Sequence, residues 1–428
     1  MTQSPPPSPP PSKVSRRPRR PALINPWLFL GLSTGMAIAI LGGGLWLLQK
    51  FALRSVDQAE GNKELVEEDT AIDPEERFTL PDTSAPLTTE LLPSIAVEEP
   101  NGNAVIEVQK IWKYRYNVAL LPNWTYSIEL DSLIAGVKQQ AEDLGLPVAA
   151  MSVVLIDLNQ GAIAYYQPEV PQYPASVAKL FWMVALYGQF QQGLLNEADF
   201  QAPLQLMVQR SDNNATSTII DAITRTKFQA KGSPAAYQAW YLQRQQLNQF
   251  FSLAGYQNLN ITQKTYPIPD IEIEEPTGFD LQMRYDPLAP DQPIRNQMSA
   301  WHAARMMYEI ATQQAIAPEA SKKMLQLLRR DLTKNWQTTT NYFNPVQDFF
   351  GADLPPETIL YSKAGWTTQG RHEVAYIASA DGKQQYILSI FADHKDYAEN
   401  RTFFPTAASF IHKRIGTSQP EVRPSSQN

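Results

Sequence analysis

Apolar side chains recur at steps of three and four through Leu130, Leu133, Ile134, Val137, Ala141 and Leu144, and the run stops at Gly145 and Pro147. That period predicts a helix beginning near Tyr126. Residues 150–157 are rich in β-branched side chains, 158–161 read as a turn, and 162–166 return, so 150–166 predict a hairpin. A second hairpin is predicted over 373–379 and 385–391, around Asp381-Gly382, followed by a closing helix at 402–414. An extended stretch at 358–363 lies just before it. Between the hairpins the helical period dominates: 180–186 is an unbroken apolar run, 204–210 is helical and ends in a polar cluster, and 230–244 has the look of an inserted helix. Strands at both ends with helices between and after them predict an α/β fold of the α+β kind. One antiparallel sheet is built from N- and C-terminal strands and flanked by helices, with a helical subdomain.

The first hundred residues follow another pattern. Residues 1–22 are crowded with Pro, Ser and Arg and are expected to be a disordered cytoplasmic tail. Residues 23–49 contain no charged side chain, and a membrane-spanning helix needs about 20 apolar residues, so a single transmembrane helix is expected there. Lys13, Arg16, Arg17, Arg19 and Arg20 precede it, and an acidic stretch follows soon after Lys50 and Arg54. The positive-inside rule then leaves the N-terminus in the cytoplasm and everything beyond residue 50 outside, on a single-pass protein of the bacterial plasma membrane. A cleaved signal peptide is the alternative, but the apolar stretch is long for one and no Ala-x-Ala-like site closes it. Residues 50–107, rich in Asp, Glu, Pro and Thr, read as a self-repelling tether, 108–416 as the folded domain, and 417–428 as a disordered tail.

The chain of 428 residues has no cysteine, which excludes disulfides, thiol catalysis and thiolate metal sites. A net charge of −7, held largely in the tether, and the lack of a basic stripe with interleaved aromatics argue against nucleic acid as a partner. Four histidines without His-Glu-x-x-His spacing leave a metal centre unsupported, and no Gly-x-Ser-x-Gly elbow is present.

Ser176 and Lys179 stand three residues apart where the 180–186 helix begins, which turns both side chains to one face. A serine in a first helical turn lies among free N–H groups, and a lysine in a dry site can lose its proton and activate the hydroxyl. The bland alternative is a capping serine beside a solvated lysine. Two further groups change the balance. Ser211-Asp212-Asn213 closes the 204–210 helix, and Lys363-Ala364-Gly365 lies on the strand before the last hairpin. A hydroxyl can relay protons, an amide can hold a carbonyl, and a lysine can bind a carboxylate. Gly365 would let the strand backbone approach a ligand, so that the Trp366 N–H could join that of Ser176 as an oxyanion hole.

This ordered triple resembles the signature of the penicillin-recognising serine enzymes. Over residues 126–416 the chain is similar to the class A β-lactamases and their relatives, the D,D-peptidases or penicillin-binding proteins, through 174–179, 207–216, 363–365 and the helix start at 296–307. The resemblance implies the β-lactamase/transpeptidase-like fold, with Ser176 as nucleophile, Lys179 as its proton partner and Ser211 as donor to the leaving nitrogen. It further implies that Asn213 orients substrate, that Lys363 attracts a substrate carboxylate, and that no metal or organic cofactor is needed. The expected substrate is a β-lactam or a peptidoglycan stem peptide.

The sequence departs from the family in three places. No Glu-x-x-Leu-Asn motif lies between Ser211 and Asn296, where class A members keep the glutamate that hydrolyses the acyl-enzyme. Glu272, Glu274 and Glu275 are the acidic candidates there, with a solvated acidic loop as the plainer reading. The stretch from Ser211 to Arg295 is long. Ala364 replaces a hydroxyl residue, for which His372 or Arg371 is expected to compensate in binding the carboxylate. Three readings follow: a β-lactamase-family hydrolase with slow deacylation, an anchored D,D-carboxypeptidase, and a non-catalytic peptidoglycan-binding scaffold. Retention of Ser176, Lys179, Ser211, Asn213 and Lys363 together counts against the last.

Overall fold

The computed structural model describes residues 123–333 and 344–416. The expected tail at 1–22, membrane helix at 23–49, tether at 50–107, the first residues of the expected domain and the tail at 417–428 lie outside the described residues. Among the described residues no helix is long and apolar enough to cross a membrane.

A short strand β1 (Thr125–Tyr126) leads into α1 (Ile128–Asp143) and the hairpin β2 (Met151–Asp157) and β3 (Ala162–Tyr166). The Ser127 hydroxyl accepts the Leu130 N–H at 3.2 Å and fixes the start of α1, with Glu129 and Asp131 in the first turn where the helix dipole favours anions. A 3₁₀ turn (Ala175–Val177) then opens the helical part: α2 (Ala178–Gln191), α3 (Gln201–Gln209), α4 (Asn213–Thr224), α5 (Pro234–Leu253), the short α6 (Gly278–Gln282), α7 (Ala300–Ala311) and α8 (Pro318–Leu328). The chain returns through β4 (Arg329–Arg330), β5 (Ile359–Thr367), β6 (Gly370–Ala378) and β7 (Gln385–Ala392), and ends on α9 (Lys395–Glu399) and α10 (Phe403–His412).

The strands form one sheet in the order β1-β3-β2-β7-β6-β5-β4. The two predicted hairpins meet where β2 pairs antiparallel with β7, in a register that sets Val153 opposite Ile390 and Leu155 opposite Leu388. The sheet is mixed rather than wholly antiparallel, because the two-residue β1 runs parallel to β3 at the edge. Every residue of β2 is buried, as expected for a strand covered on both faces. On one face α1 and α10 close a core of Leu130, Ile134, Val137, Leu388, Phe404 and Ile411. α7 packs on β2, β6 and β7, against the helical part. α2 is buried from Ala178 through Gln189, which accounts for its lack of a polar face. The inserted helix expected at 230–244 runs further, over Pro234–Leu253, because Leu247, Phe250 and Phe251 near its end are buried.

Phe404 holds α10 to the sheet and stacks on Phe350, with ring centroids 5.6 Å apart. Phe404→Ala is expected to cost about 3–5 kcal/mol of folding stability, read from the urea unfolding midpoint.

Candidate active site

Ser176 sits in the 3₁₀ turn, two residues ahead of the first residue of α2 rather than inside its first α-turn, and Lys179 is on the first turn of α2. Pro174 and the left-handed Ala175 (φ 47°) bring the chain sharply into this turn, which the Val177 N–H closes on the Pro174 carbonyl at 3.0 Å. Ser176 is half-buried and faces a cleft of about 180 Å³ lined also by Tyr173, Ala175, Ser211, Asn213, Thr265, Tyr266, Trp366 and Thr367. A larger open groove of about 570 Å³ lies beside Tyr187, Glu197 and Lys323, but neither Ser176 nor Ser211 lines it, so the smaller cleft is the candidate site.

Ser211 joins α3 to α4 in a left-handed conformation (φ 57°), and Asp212 caps α4 by accepting the Ala215 N–H at 2.7 Å. This turn presents three oxygens to the Lys179 ammonium: the Ser211 carbonyl at 2.5 Å, Asn213 Oδ1 at 2.8 Å and Ser211 Oγ at 3.3 Å. Lys179 is fully buried, and among the described residues no carboxylate lies within 4.0 Å of it. Burial pulls its pKa down to about 7, against the more distant pull of Asp212. At neutral pH a large share of Lys179 is therefore the free amine, which can accept a proton.

Lys363, on β5, is also fully buried and donates to Ser211 Oγ at 3.1 Å and to the Ala364 carbonyl at 2.7 Å. The Ser211 hydroxyl thus lies between two lysine nitrogens. Burial, with the Lys179 and Arg330 charges, holds the Lys363 pKa well below the ordinary lysine value. Two amines sharing one hydroxyl cannot both stay charged in a dry site, so a proton at either is mobile toward Ser211.

Gly365 works differently from the expectation. A Cβ there would stand 2.8 Å from the Pro174 carbonyl oxygen and 3.0 Å from both the Ser176 and Val177 backbone nitrogens. Its absence makes room for the Pro174–Ser176 turn rather than for a ligand, and it brings the 365–366 backbone beside that of Ser176. Trp366, 47% exposed, lines the cleft with its indole N–H held by the Ala398 carbonyl at 2.9 Å.

His372 does not reach the cleft. It is fully buried against Phe391, its Nδ1 accepts the Ala392 N–H at 3.1 Å, and burial pulls its pKa down to about 3, so it is neutral and unable to bind a carboxylate. Arg371 is held by the Asp348, Tyr397 and Ala398 carbonyls. Glu272, Glu274 and Glu275 are exposed and do not line the cleft, because the chain turns back at the Ile268–Ile273 bridge. None of the nine lining residues carries a carboxylate. Among the described residues no group of three or more His, Cys, Asp or Glu side chains is arranged to hold a metal ion.

Sequence reasoning missed Tyr173, Thr265, Tyr266 and Thr367. The Thr265 hydroxyl donates to Asn213 Oδ1 at 2.8 Å, and Asn213 Nδ2 donates to the Pro267 carbonyl at 3.0 Å, so the 265–267 segment fixes the amide that holds Lys179. That segment is tied down in turn. Lys264 pairs with Asp221 of α4 at 2.7 Å, and Arg244 of α5 bonds Asp221, Thr226 and the Thr262 carbonyl. No local pattern marks Thr265; its role exists only once α4 and α5 close around it.

A family model described as the beta-lactamase enzyme family matches residues 196–415, about half of the chain. The chain belongs to that family. The match takes in Ser211, Asn213, Lys363 and Gly365 and begins after Ser176 and Lys179. No curated protein sequence matches the chain. Similar solved structures include a β-lactamase from Sphaerobacter thermophilus (16% identity, 68% of this chain and 99% of that one, TM-score 0.46). PBP-A is 18% identical, over 68% and 98% of the two chains, with TM-score 0.45. A representative of class A β-lactamase from Bacteroides cellulosilyticus is 12% identical, over 68% and 100%, with TM-score 0.45.

Two outcomes follow for this β-lactamase-family chain. Gly365→Ala should displace the Pro174–Ser176 turn, lowering the acylation rate roughly 10²-fold or more and stability by about 1–3 kcal/mol, measured with a fluorescent penicillin and by urea unfolding. If Lys179 accepts the serine proton, acylation should rise with pH up to about 7 and level above it, since only the free amine is active. A rate flat from about pH 5 to pH 9 would exclude that role.

Proposed function

We propose that the protein is an acyl-transferring serine hydrolase that opens a β-lactam or a D-Ala-D-Ala-like amide through an acyl-enzyme on Ser176. The observation that carries this is the burial of Lys179 among three neutral oxygens without a paired carboxylate, which supplies a free amine three residues along the chain from Ser176 and in contact with Ser211, a second serine of the cleft. In this reading Ser176 Oγ bonds to the substrate carbonyl carbon as its proton passes to Lys179 Nζ. The carbonyl oxygen takes up negative charge toward the Ser176 and Trp366 N–H groups. As the C–N bond breaks, Ser211 hands a proton to the leaving nitrogen and is resupplied from the lysines on either side of it. Asn213 orients the substrate amide and Lys363 attracts its carboxylate.

Deacylation is the weak step. A positioned carboxylate that activates water contributes on the order of 10²–10⁴-fold, and none lines this cleft. That favours a long-lived penicillin adduct and, as natural substrate, a peptidoglycan stem peptide handled by a D,D-carboxypeptidase, over efficient β-lactam hydrolysis. Residues 23–49 would anchor the enzyme in the plasma membrane, with the tether holding the domain on the extracytoplasmic side.

The test is a labelled penicillin incubated with the full chain, following both formation and decay of the adduct. A covalent adduct lost in Ser176→Ala and decaying far more slowly than it forms is expected. No adduct in the wild type, or one that survives Ser176→Ala, overturns the reading; rapid decay replaces the peptidase with a β-lactamase.

A further inference from the structure

We propose that Arg284 and Arg295 form a second anion-recognition point at the mouth of the Ser176 cleft, so that the preferred substrate carries a carboxylate on the portion that extends past Tyr173 and Tyr266. This rests on the acyl-enzyme reading above and gives the long segment after Ser211 a part in substrate choice.

Both arginines belong to the stretch between α6 and α7, where the Ile294 N–H bonds the Arg284 carbonyl at 2.8 Å and draws the two ends of the loop together. The Arg295 guanidinium lies 5.6 Å from the Tyr173 ring centre, and that of Arg284 lies 5.8 Å from the Tyr266 ring centre. Those two tyrosines line the cleft together with Ser176. A substrate leaving the cleft between them therefore meets one guanidinium behind each ring.

Neither cation is neutralised by an ion pair. Among the described residues no carboxylate lies within 4.0 Å of either guanidinium. Asp280, four residues before Arg284, pairs with Arg244 at 3.3 Å, and Asp286, two residues after it, accepts the Leu288 N–H at 2.8 Å. Asp393 faces the Tyr173–Arg295 side, accepts the Tyr173 N–H and stays beyond ion-pair distance. Arg284 is half-buried, and its Nε is a buried donor with no hydrogen-bond partner. Buried donors are nearly always satisfied, so a guanidinium that lacks an ion pair and is only half-buried beside the cleft is a place for an acceptor from outside.

The charge pattern points the same way. The buried amines of Lys179 and Lys363 lie behind Ser211, the two arginines lie against Tyr173 and Tyr266, and no carboxylate lines the cleft. The two unpaired guanidinium groups put a positive field on the opening and raise the local concentration of anionic substrates. Lys363 and the arginine pair stand at separate places. The chemistry they fit is a peptide with one carboxylate near the scissile amide and another further along the chain.

The experiment compares acylation of the full-length protein by two penicillins that differ by one side-chain carboxylate, benzylpenicillin and its α-carboxy analogue carbenicillin. It is repeated with D-Ala-D-Ala-ended peptides whose third residue carries either a free side-chain carboxylate or its amide. The carboxylated probes are expected to acylate faster by roughly fivefold or more at low salt, an advantage that shrinks as ionic strength rises. In Arg284→Gln/Arg295→Gln the advantage disappears while the rates of the neutral probes stay within about twofold, and Arg284→Lys restores part of it. Equal rates for charged and neutral probes in the wild type, or a loss in the double variant that falls equally on both, overturns the proposal and leaves the acyl-enzyme reading standing. No adduct with any probe overturns both.

Discussion

Lys179 is buried among the Ser211 carbonyl, the Ser211 hydroxyl and the Asn213 amide oxygen, and the rest of the site depends on that arrangement. A charged amine in a dry pocket without a carboxylate is unstable, so its pKa falls to about 7 and the group becomes a usable base. A paired carboxylate would have held the proton on the amine. The three acceptors are neutral, and they come from one turn whose left-handed Ser211 and capping Asp212 leave the carbonyl, hydroxyl and amide pointing the same way. Burying an uncompensated amine costs stability. The core that α1 and α10 close on the far face of the sheet can absorb that cost without approaching the chemistry.

The sheet brings the second lysine into place. Only because β2 from early in the chain pairs with β7 from late in it does β5 come alongside the nucleophile turn, and only a residue without a Cβ at 365 lets the two backbones approach so closely. Lys363 then reaches Ser211 Oγ from the side opposite Lys179. The hydroxyl between them is a proton junction, which suits amide cleavage, where a proton must leave the nucleophile and arrive at nitrogen in one turnover.

Around this centre the long segment after Ser211 serves two purposes. Its Arg244–Asp221–Lys264 ties hold the 262–267 segment against Asn213, and its loop carries arginines to Tyr173 and Tyr266 of the cleft. The same segment leaves Glu272, Glu274 and Glu275 exposed, away from the serine. Membership of the β-lactamase enzyme family therefore coexists with a cleft whose lining has no carboxylate to activate water.

Much was legible in the linear pattern. Period-two and period-three-to-four hydrophobicity marked both hairpins and most helices, because burial on one face imposes that spacing directly on the sequence. Ser176, Lys179, Ser211, Asn213 and Lys363 could be singled out because short spacings on a helix or in a turn fix relative direction. Other assignments failed where the answer lay in another part of the chain. His372 looked available beside the Lys363 strand, yet the pleat turns it onto Phe391 and seals it from water. Gly365 looked like an opening for a ligand and is filled by the Pro174–Ser176 turn. Thr265 and Tyr266 carried no signal at all, since their contacts are with residues some fifty positions away. The sequence by itself determined most of the elements and the candidate groups, which depend on local periodicity and side-chain chemistry. Tertiary structure alone decided the depressed Lys179 pKa, the sharing of Ser211 and the placing of Glu272, Glu274 and Glu275 outside the cleft, because desolvation and proximity are set by what the rest of the chain packs around a group.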